Sequence, residues 1–192
     1  MKKKLLSLAL AVVFGFSATA NTPIDGDKKT VKTSESTVTW KGYKVTGSHE
    51  GTINLKSGSL DFNGSKLTGG EFVVDMTTIN TTDLEGEYKG KLDGHLASDD
   101  FFGVKAHPTA KLIFKSLKSF NKNSYTVTGD LTIKGITKEV TFVVSVFENK
   151  ATATLKVDRT KFNIKYGSSS FFDDLKDKAI YDEFDLVVDM AF

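Results

Sequence analysis

Apolar and polar residues alternate along most of the chain with a period of two. Between Tyr125 and Ile133 every second residue is apolar or glycine, and threonine or aspartate fills most positions between them. A looser form of the same alternation returns in residues 72–76, 151–157 and 184–192. Because successive side chains of a β-strand point to opposite faces, this pattern predicts strands that each bury one face.

The pattern predicts eight strands. They span residues 37–46, 50–62, 67–76, 109–116, 124–133, 138–147, 151–158 and 182–192. The alternation changes parity at Gly42, which predicts a β-bulge, and Lys134-Gly135 and Asn149-Lys150 fall where tight hairpin turns are needed. An antiparallel sheet of this size must protect its edges, and closure into a barrel does so. We therefore predict an all-β fold, a single antiparallel β-barrel of eight strands.

Two predicted connections, residues 77–108 and 159–181, are much longer than hairpin turns. The first predicts a short amphipathic helix, on the spacing of Leu84, Leu92 and Leu96. Both hold paired phenylalanines outside the strand register, Phe101-Phe102 and Phe171-Phe172. Long loops in a compact domain are usually lids or binding loops. The paired aromatic residues therefore either plug an end of the barrel or line the mouth of a cavity, and the pattern leaves both possibilities open.

The N-terminus has the layout of a secretory signal peptide. Three lysines precede an apolar stretch from Leu5 to Phe16, and Ala18-Thr19-Ala20 offers a small-x-small cleavage site. The apolar stretch is about twelve residues long, whereas a membrane span needs roughly 20. A retained N-terminal anchor is the alternative. We expect residues 1–20 to be a cleaved signal peptide, 21–36 a flexible segment and 37–192 the barrel domain, exported to a bacterial periplasm.

Composition narrows the function classes. The 192 residues contain no cysteine, so disulfides, thiolate metal sites and cysteine nucleophiles are excluded. The 26 basic residues nearly balance the 24 acidic ones, which gives no electrostatic reason to expect nucleic acid. No segment after the N-terminal stretch is long and apolar enough to predict a transmembrane helix. The sequence does not decide the oligomeric state, and a homodimer is possible.

Several fragments, taken in order, resemble the YceI-like family of secreted lipocalin-like proteins. They are His49-Glu50-Gly51, Phe72–Met76, Lys91–Leu96, Asp99–Phe102, His107-Pro108, Gly129–Gly135 and Asp158–Phe162. The ordered set runs from about Val38 to Met190, which is almost the whole predicted domain. The usual family sequence has an aspartate after the paired phenylalanines, where this chain has Gly103.

The resemblance implies an extended eight-stranded, lipocalin-like barrel with a short helix and long loops at its mouth. It also implies a bound isoprenoid or other long-chain lipid, such as an isoprenoid quinone, a polyprenyl phosphate or a fatty-acid derivative, with no metal, no cofactor and no catalytic residues. An eight-stranded barrel can just enclose one slender ligand. Inward apolar positions are then the candidate lining: Trp40, Phe72, Val74, Met76, Leu92, Leu96, Phe101, Phe102, Leu112, Phe114, Phe142, Phe162, Tyr166 and Phe171.

Four polar residues are candidates for a head-group contact or a structural role, namely His49, Asp75, His95 and Arg159. Arg159 is the single arginine, and its planar guanidinium suits a bidentate partner such as Asp75. We expect a structural ion pair there in preference to a grip on a head group such as pyrophosphate. The histidine spacings do not match a known metal motif, so no metal site is predicted.

Two other functions remain as alternatives. Residues 47–51 contain Ser, His and Glu, but neighbouring strand residues face opposite sides of a sheet, so they do not predict a hydrolase site. We expect a protein that is not an enzyme. An interaction or stress-associated module of the cell envelope would share the barrel but would fill its interior with side chains. A cavity inside the barrel is therefore the feature that separates a carrier from such a module.

Overall fold

The computed structural model describes residues 26–192, so the predicted signal peptide lies outside the described residues. The strands are β1 (Asp27–Thr30), β2 (Thr37–Lys44), β3 (Gly47–Asn63), β4 (Lys66–Thr81), β5 (Thr109–Ser119), β6 (Ser124–Ile133), β7 (Ile136–Phe147), β8 (Lys150–Asp158) and β9 (Ile180–Ala191). Helix α1 (Gly86–Ala97) lies between β4 and β5, and 3-10 turns span Thr33–Glu35, Arg159–Phe162 and Lys176–Lys178. Within residues 26–192, no helix combines the length and the apolar character needed to cross a bilayer.

Strands β2 to β9 close into an eight-stranded antiparallel barrel, as predicted. Going around the barrel, the strands run β3, β2, β9, β8, β7, β6, β5 and β4, and β4 pairs back onto β3. Strands β3 and β4 are the longest, at 17 and 16 residues. Their register shifts at three places, and the length of β3 lets it pair with both β1 and β2 along its other edge.

The predicted irregularities are largely where the sequence indicated. The register between β2 and β9 shifts between Gly42 and Lys44, which confirms the bulge. Lys134 and Gly135 both have positive φ angles, as a tight two-residue hairpin turn requires. The next hairpin was predicted one residue too late, because Phe147 pairs with Lys150 and the turn is Glu148-Asn149.

The prediction of a flexible segment over residues 21–36 is wrong for its described part. Residues Asp27–Thr30 form β1, which pairs with the last part of β3 beyond the reach of β2. The amide of Val31 then donates to the carbonyl of Gly58, and that of Lys32 to the carbonyl of Ala191. The segment is polar because all four β1 residues are exposed, so polarity here marks an outer strand rather than disorder.

The two ends of the barrel differ. The hairpins β3–β4, β5–β6 and β7–β8 lie at one end, which we call the closed end, where Leu60, Leu67 and Val127 are almost completely buried. Each such side chain contributes roughly 1.5–3 kcal/mol of hydrophobic stabilisation. Helix α1 and the long β8–β9 connection lie at the other end, which we call the mouth. The long connections between strands are therefore concentrated at the mouth.

Candidate functional site

Two adjoining cavities lie inside the barrel. The upper cavity, near the mouth, has a volume of about 180 Å³, and its walls include Trp40, Met76 and Ile133. The lower cavity has a volume of about 70 Å³ and extends toward the closed end, with Phe114 and Met190 in its walls. Both are lined mainly by apolar side chains, and they share five lining residues: Val38, Val74, Ala110, Leu131 and Leu186.

Eleven of the fourteen predicted lining residues do border these cavities. Seven line the upper cavity: Trp40, Val74, Met76, Leu92, Leu96, Phe101 and Phe102. The lower cavity is lined by Val74 again and by four more: Phe72, Leu112, Phe114 and Phe142. Strand alternation located most of this set, because it decides which side chains face the interior. Contact of these residues with a ligand stays a prediction.

The other three predicted residues do not line the cavities. Phe162 is 1% exposed and packs in the core within a 3-10 turn. Tyr166 and Phe171 are each 48% exposed, and the Lys165 ammonium lies 4.6 Å from the centre of the Phe171 ring. All three belong to the β8–β9 connection, which is not a regular strand. The alternation of side chains therefore does not predict which way these three side chains point.

Other lining residues were missed by the sequence analysis although their signal was present. Leu131 and Ile133 lie on the apolar face of β6, and Phe184 and Leu186 lie on the corresponding face of β9. The alternation that located these strands also located these positions. Ile180 and Tyr181, at the start of β9, had no such signal, because they precede the clear alternation.

Helix α1 is held against the mouth by a small polar cluster. The carboxylate of Asp93 accepts a hydrogen bond from the backbone N–H of Thr81 at 2.8 Å. The ammonium of Lys89 bridges Asp93 and the side-chain oxygen of Asn80. Burial opposes ionisation of Asp93, but the hydrogen bonds from Lys89 and Thr81 outweigh it and lower its pKa. This attachment holds the helix where Leu92 and Leu96 line the upper cavity.

Gly103 closes the turn that positions the paired phenylalanines. Its φ is +56°, and its N–H donates to the carbonyl of Ser98 at 2.8 Å. This left-handed conformation favours glycine, and aspartate is among the residues that tolerate it. The departure from the usual family sequence at this position is therefore compatible with the same turn. Phe101 and Phe102, whose ring centres are 5.6 Å apart, both remain at the upper cavity.

Arg159 fastens the two ends of the β8–β9 connection to each other. Its guanidinium donates to the carbonyl of Ile164 at 2.8 Å, of Ile180 at 3.0 Å and of Tyr181 at 3.1 Å. Its side chain is only 3% exposed, and burial lowers its pKa although the nearby carboxylate of Asp182, at 3.7 Å, opposes that shift. Arginine nevertheless stays charged at neutral pH. Arg159 is also among the residues that line the upper cavity.

The predicted partnership of Arg159 with Asp75 is wrong. The Asp75 carboxylate accepts from the backbone N–H and the hydroxyl of Thr77, at 3.0 and 2.6 Å, and these bonds lower its pKa. Asp75 therefore makes local hydrogen bonds within β4, and it lines neither cavity. No sequence motif predicts the true partners of Arg159, because they are backbone carbonyls.

The two histidines of the upper cavity differ in their partners. Nδ1 of His49 lies 2.8 Å from the Asp83 carboxylate. Burial would raise the pKa of Asp83, but the hydrogen bonds from His49 and the Glu50 backbone lower it. In contrast, Nε2 of His95 is buried and has no hydrogen-bond partner among residues 26–192. A buried polar atom without a partner on a cavity wall is the kind of group that a ligand can satisfy.

The comparison with protein families decides the identity of the fold. The YceI-like domain matches residues 29–192. The chain belongs to the YceI-like family. Within the described part of this YceI-like chain, no three His, Asp or Glu side chains converge in a metal-binding cluster.

Relatives and solved structures agree with this assignment. A UPF0312 protein of Pseudomonas putida is 32% identical over 149 residues, which are 74% of this chain and 71% of the relative. The crystal structure of BcnA from Burkholderia cenocepacia has a TM-score of 0.67 at 22% identity and covers 84% of this chain and 99% of its own. A polyisoprenoid binding domain from Saccharophagus degradans, implicated in plant cell wall breakdown, has a TM-score of 0.56 at 11% identity, covering 84% of this chain and 95% of its own. At these identities the structural likenesses establish a shared fold.

Proposed function

We propose that this YceI-like protein binds an isoprenoid or other long-chain lipid inside its barrel and carries or sequesters it after export to the periplasm. The observation that carries the proposal is the pair of adjoining cavities inside the barrel, which are lined mainly by apolar side chains and of which the upper one borders helix α1 at the mouth. A dry apolar cavity of about 150 Å³ is already large enough to hold benzene. The upper cavity alone exceeds that volume, and the lower one prolongs it along the barrel axis.

An elongated, nearly apolar interior favours a chain over a polar metabolite. Each methylene that leaves water contributes about 0.8 kcal/mol, whereas a buried polar group without a partner costs about 1–3 kcal/mol. A slender hydrocarbon therefore gains binding free energy over its whole length. The polar groups of a sugar or nucleotide would be buried without hydrogen-bond partners along most of the cavity wall. The polyisoprenoid binding domain with the same fold supports an isoprenoid as one such chain.

The polar groups at the mouth end of the upper cavity suit a head group. The unpartnered Nε2 of His95 can donate to or accept from a ligand oxygen, depending on its tautomer. The guanidinium of Arg159, 5.6 Å from the centre of the Phe101 ring, adds a fixed positive charge nearby. We propose that the head group lies at these two residues and that the hydrocarbon extends into the lower cavity.

Neither alternative function has an observation that favours it. A filled interaction module would leave no cavity inside the barrel, and the cavities described here argue against it. A hydrolase would need a nucleophile beside His49, but the side chain that His49 contacts by a hydrogen bond is the Asp83 carboxylate. A binding protein without catalytic activity is therefore the proposed class. A homodimer stays a prediction.

The single tryptophan provides a direct test of binding. Trp40 lines the upper cavity, so a hydrocarbon that enters should change its fluorescence. Phe102 also lines this cavity, and Phe102→Asp would place a carboxylate on the path of the chain. Titration with an isoprenoid quinone and with a fatty amide should give a saturable fluorescence change in wild type. The affinity of Phe102→Asp should be at least about tenfold lower, because the bound chain would remove water from the new carboxylate.

A matched variant separates this effect from a loss of folding. Phe120 is 70% exposed in the hairpin at the closed end, so Phe120→Asp introduces the same charge away from the mouth. It should bind like wild type, and circular dichroism should show a folded barrel for both variants. Equal affinity of Phe102→Asp and wild type would refute entry through this mouth. The absence of saturable binding to wild type would refute the proposed function.

A further inference from the structure

Three aromatic rings form a cluster in the wall of the lower cavity. Phe114 projects inward from β5, with its ring centre 5.5 Å from that of Phe72 and 5.8 Å from that of Phe142. All three rings line the lower cavity. Val127, the cross-strand partner of Phe142, and Leu60 on β3 are both 0% exposed. Packed core side chains occupy the space beyond the cavity, so a chain that fills the cavity could advance only by displacing them.

Two glycines, which have no Cβ atom, lie on the two strands that flank the strand of Phe114. Gly129 is the partner of Phe114 in the register between β5 and β6, and Gly70 lies on the other side, on β4. A Cβ atom at Gly70 would lie only 2.9 Å from Cε2 of Phe114. The Phe114 ring therefore packs directly over bare backbone at Gly70. Because real Cβ atoms essentially never approach so closely, any side chain at position 70 would force the ring to move.

The wall of the lower cavity also contains a small residue opposite the crowded rings. Ala153 on β8 is 7% exposed and lines the lower cavity but not the upper one. A larger side chain at this position would occupy the space that the last part of a chain needs. The lower cavity can therefore be lengthened at one wall and shortened at another without a change at the mouth.

From this geometry we infer that Phe72, Phe114 and Phe142 form the floor of the binding site and determine the length of the hydrocarbon chain that the barrel holds. The inference rests on the proposed function and adds to it the residues that select among chains. The mouth groups then recognise the head, and the floor limits the tail. Chains longer than the distance from mouth to floor would leave carbons in water and lose that part of the burial energy.

The test measures affinity against chain length. Linear alcohols from decanol to docosanol, and the isoprenoid alcohols geraniol, farnesol and geranylgeraniol, are titrated against wild type and two variants, with Trp40 fluorescence and native mass spectrometry as readouts. Phe114→Ala removes six ring carbons, and partial collapse of the space should leave a preference for chains about two to four carbons longer. Ala153→Leu adds three carbons and should shift the preference about two to three carbons shorter.

A control on the same strand separates chain selection from a general loss of packing. Leu117 packs against the core from β5 but lines neither cavity, so Leu117→Ala should keep the wild-type length preference. If Phe114→Ala fails to fold, Ala153→Leu still decides the question, because it fills space rather than creating a void. An unchanged length preference in Ala153→Leu and in any folded Phe114→Ala would overturn the inference while leaving the proposed function intact. Failure of wild type to bind any member of either series would overturn both.

Discussion

Replacing Arg159 with methionine should destabilise the barrel and loosen its mouth together. The guanidinium donates to three carbonyls that belong to opposite ends of the β8–β9 connection, at Ile164, Ile180 and Tyr181. Arg159→Met retains an unbranched apolar side chain but removes all three donors. It also leaves the buried Oδ1 of Asp182 without the positive charge that lies 3.7 Å away.

The size of the effect follows from these contacts. A hydrogen bond from a charged donor contributes about 1.5–3 kcal/mol, so three such bonds set an upper bound of roughly 5–9 kcal/mol. Water can reach part of the vacated site, because Ile180 is only half-buried and Tyr181 is exposed, so some of this loss is recovered. Removal of one partner from a buried charged contact typically costs about 3–5 kcal/mol, which is the value we expect. For a domain of this size it corresponds to a fall in Tm of roughly 6–20 °C.

Urea unfolding followed by circular dichroism gives the global effect, and hydrogen exchange locates it. Amides in residues 164–181 should exchange faster in Arg159→Met. The exchange rates of amides in β6 and β7 should rise only as much as the loss of global stability requires. The stability of Arg159→Lys should lie between that of Arg159→Met and that of wild type, because an ammonium cannot reach all three carbonyls at once. A variant within about 1 kcal/mol of wild type, with unchanged exchange in the loop, would refute this account of Arg159.

Three further predictions concern the scaffold around the site. Gly51→Ala should cost more than about 3 kcal/mol or prevent folding, because its Cβ would overlap the Asn80 carbonyl oxygen and lie 2.5 Å from the Trp40 ring; a urea midpoint close to that of wild type would contradict this. Asp93→Ala should cost about 1–3 kcal/mol and speed exchange in α1, because the carboxylate holds the helix to β4; unchanged exchange in α1 would show that the attachment lies elsewhere. Hydrogen bonds from the Tyr43 hydroxyl and Lys156 lower the pKa of Asp185, so its contribution to stability is present above the unfolded pKa near 4 and is lost as the pH falls below it. The Tm difference between wild type and Asp185→Asn should therefore shrink between neutral pH and about pH 2; a difference that stays constant with pH would contradict the assignment.

The fold was predictable because the alternation of apolar and polar residues, which is read over a few positions, decides which side chains of each strand face the interior of the barrel. The interior face of β6, from Tyr125 to Ile133, can be read directly from the sequence, and so can the bulge at Gly42. Closure then follows from the need to protect sheet edges. Strand β1 was not predictable in this way, since all four of its residues are exposed and its pairing with β3 uses backbone groups alone.

The site was only partly predictable, for two physical reasons. The cavity walls on strands follow from parity, but Phe162 and Phe171 belong to a connection without a regular period, and their directions depend on tertiary contacts. The role of Arg159 depends on backbone carbonyls brought together by the fold, which no side-chain motif records. The Phe114 floor is likewise a product of strand register, because Gly129 and Gly70 become its neighbours only in the closed barrel.

Native mass spectrometry of the purified protein, before and after solvent extraction and with an empty-vector control, tests the central claim most directly. The account predicts a stoichiometric added mass of an isoprenoid or another long-chain lipid, lost on extraction and regained after incubation with an isoprenoid quinone or a fatty amide. A protein that carries no added mass and acquires none from either probe would contradict it. The two cavities would then be packing voids of an interaction module and not a binding site.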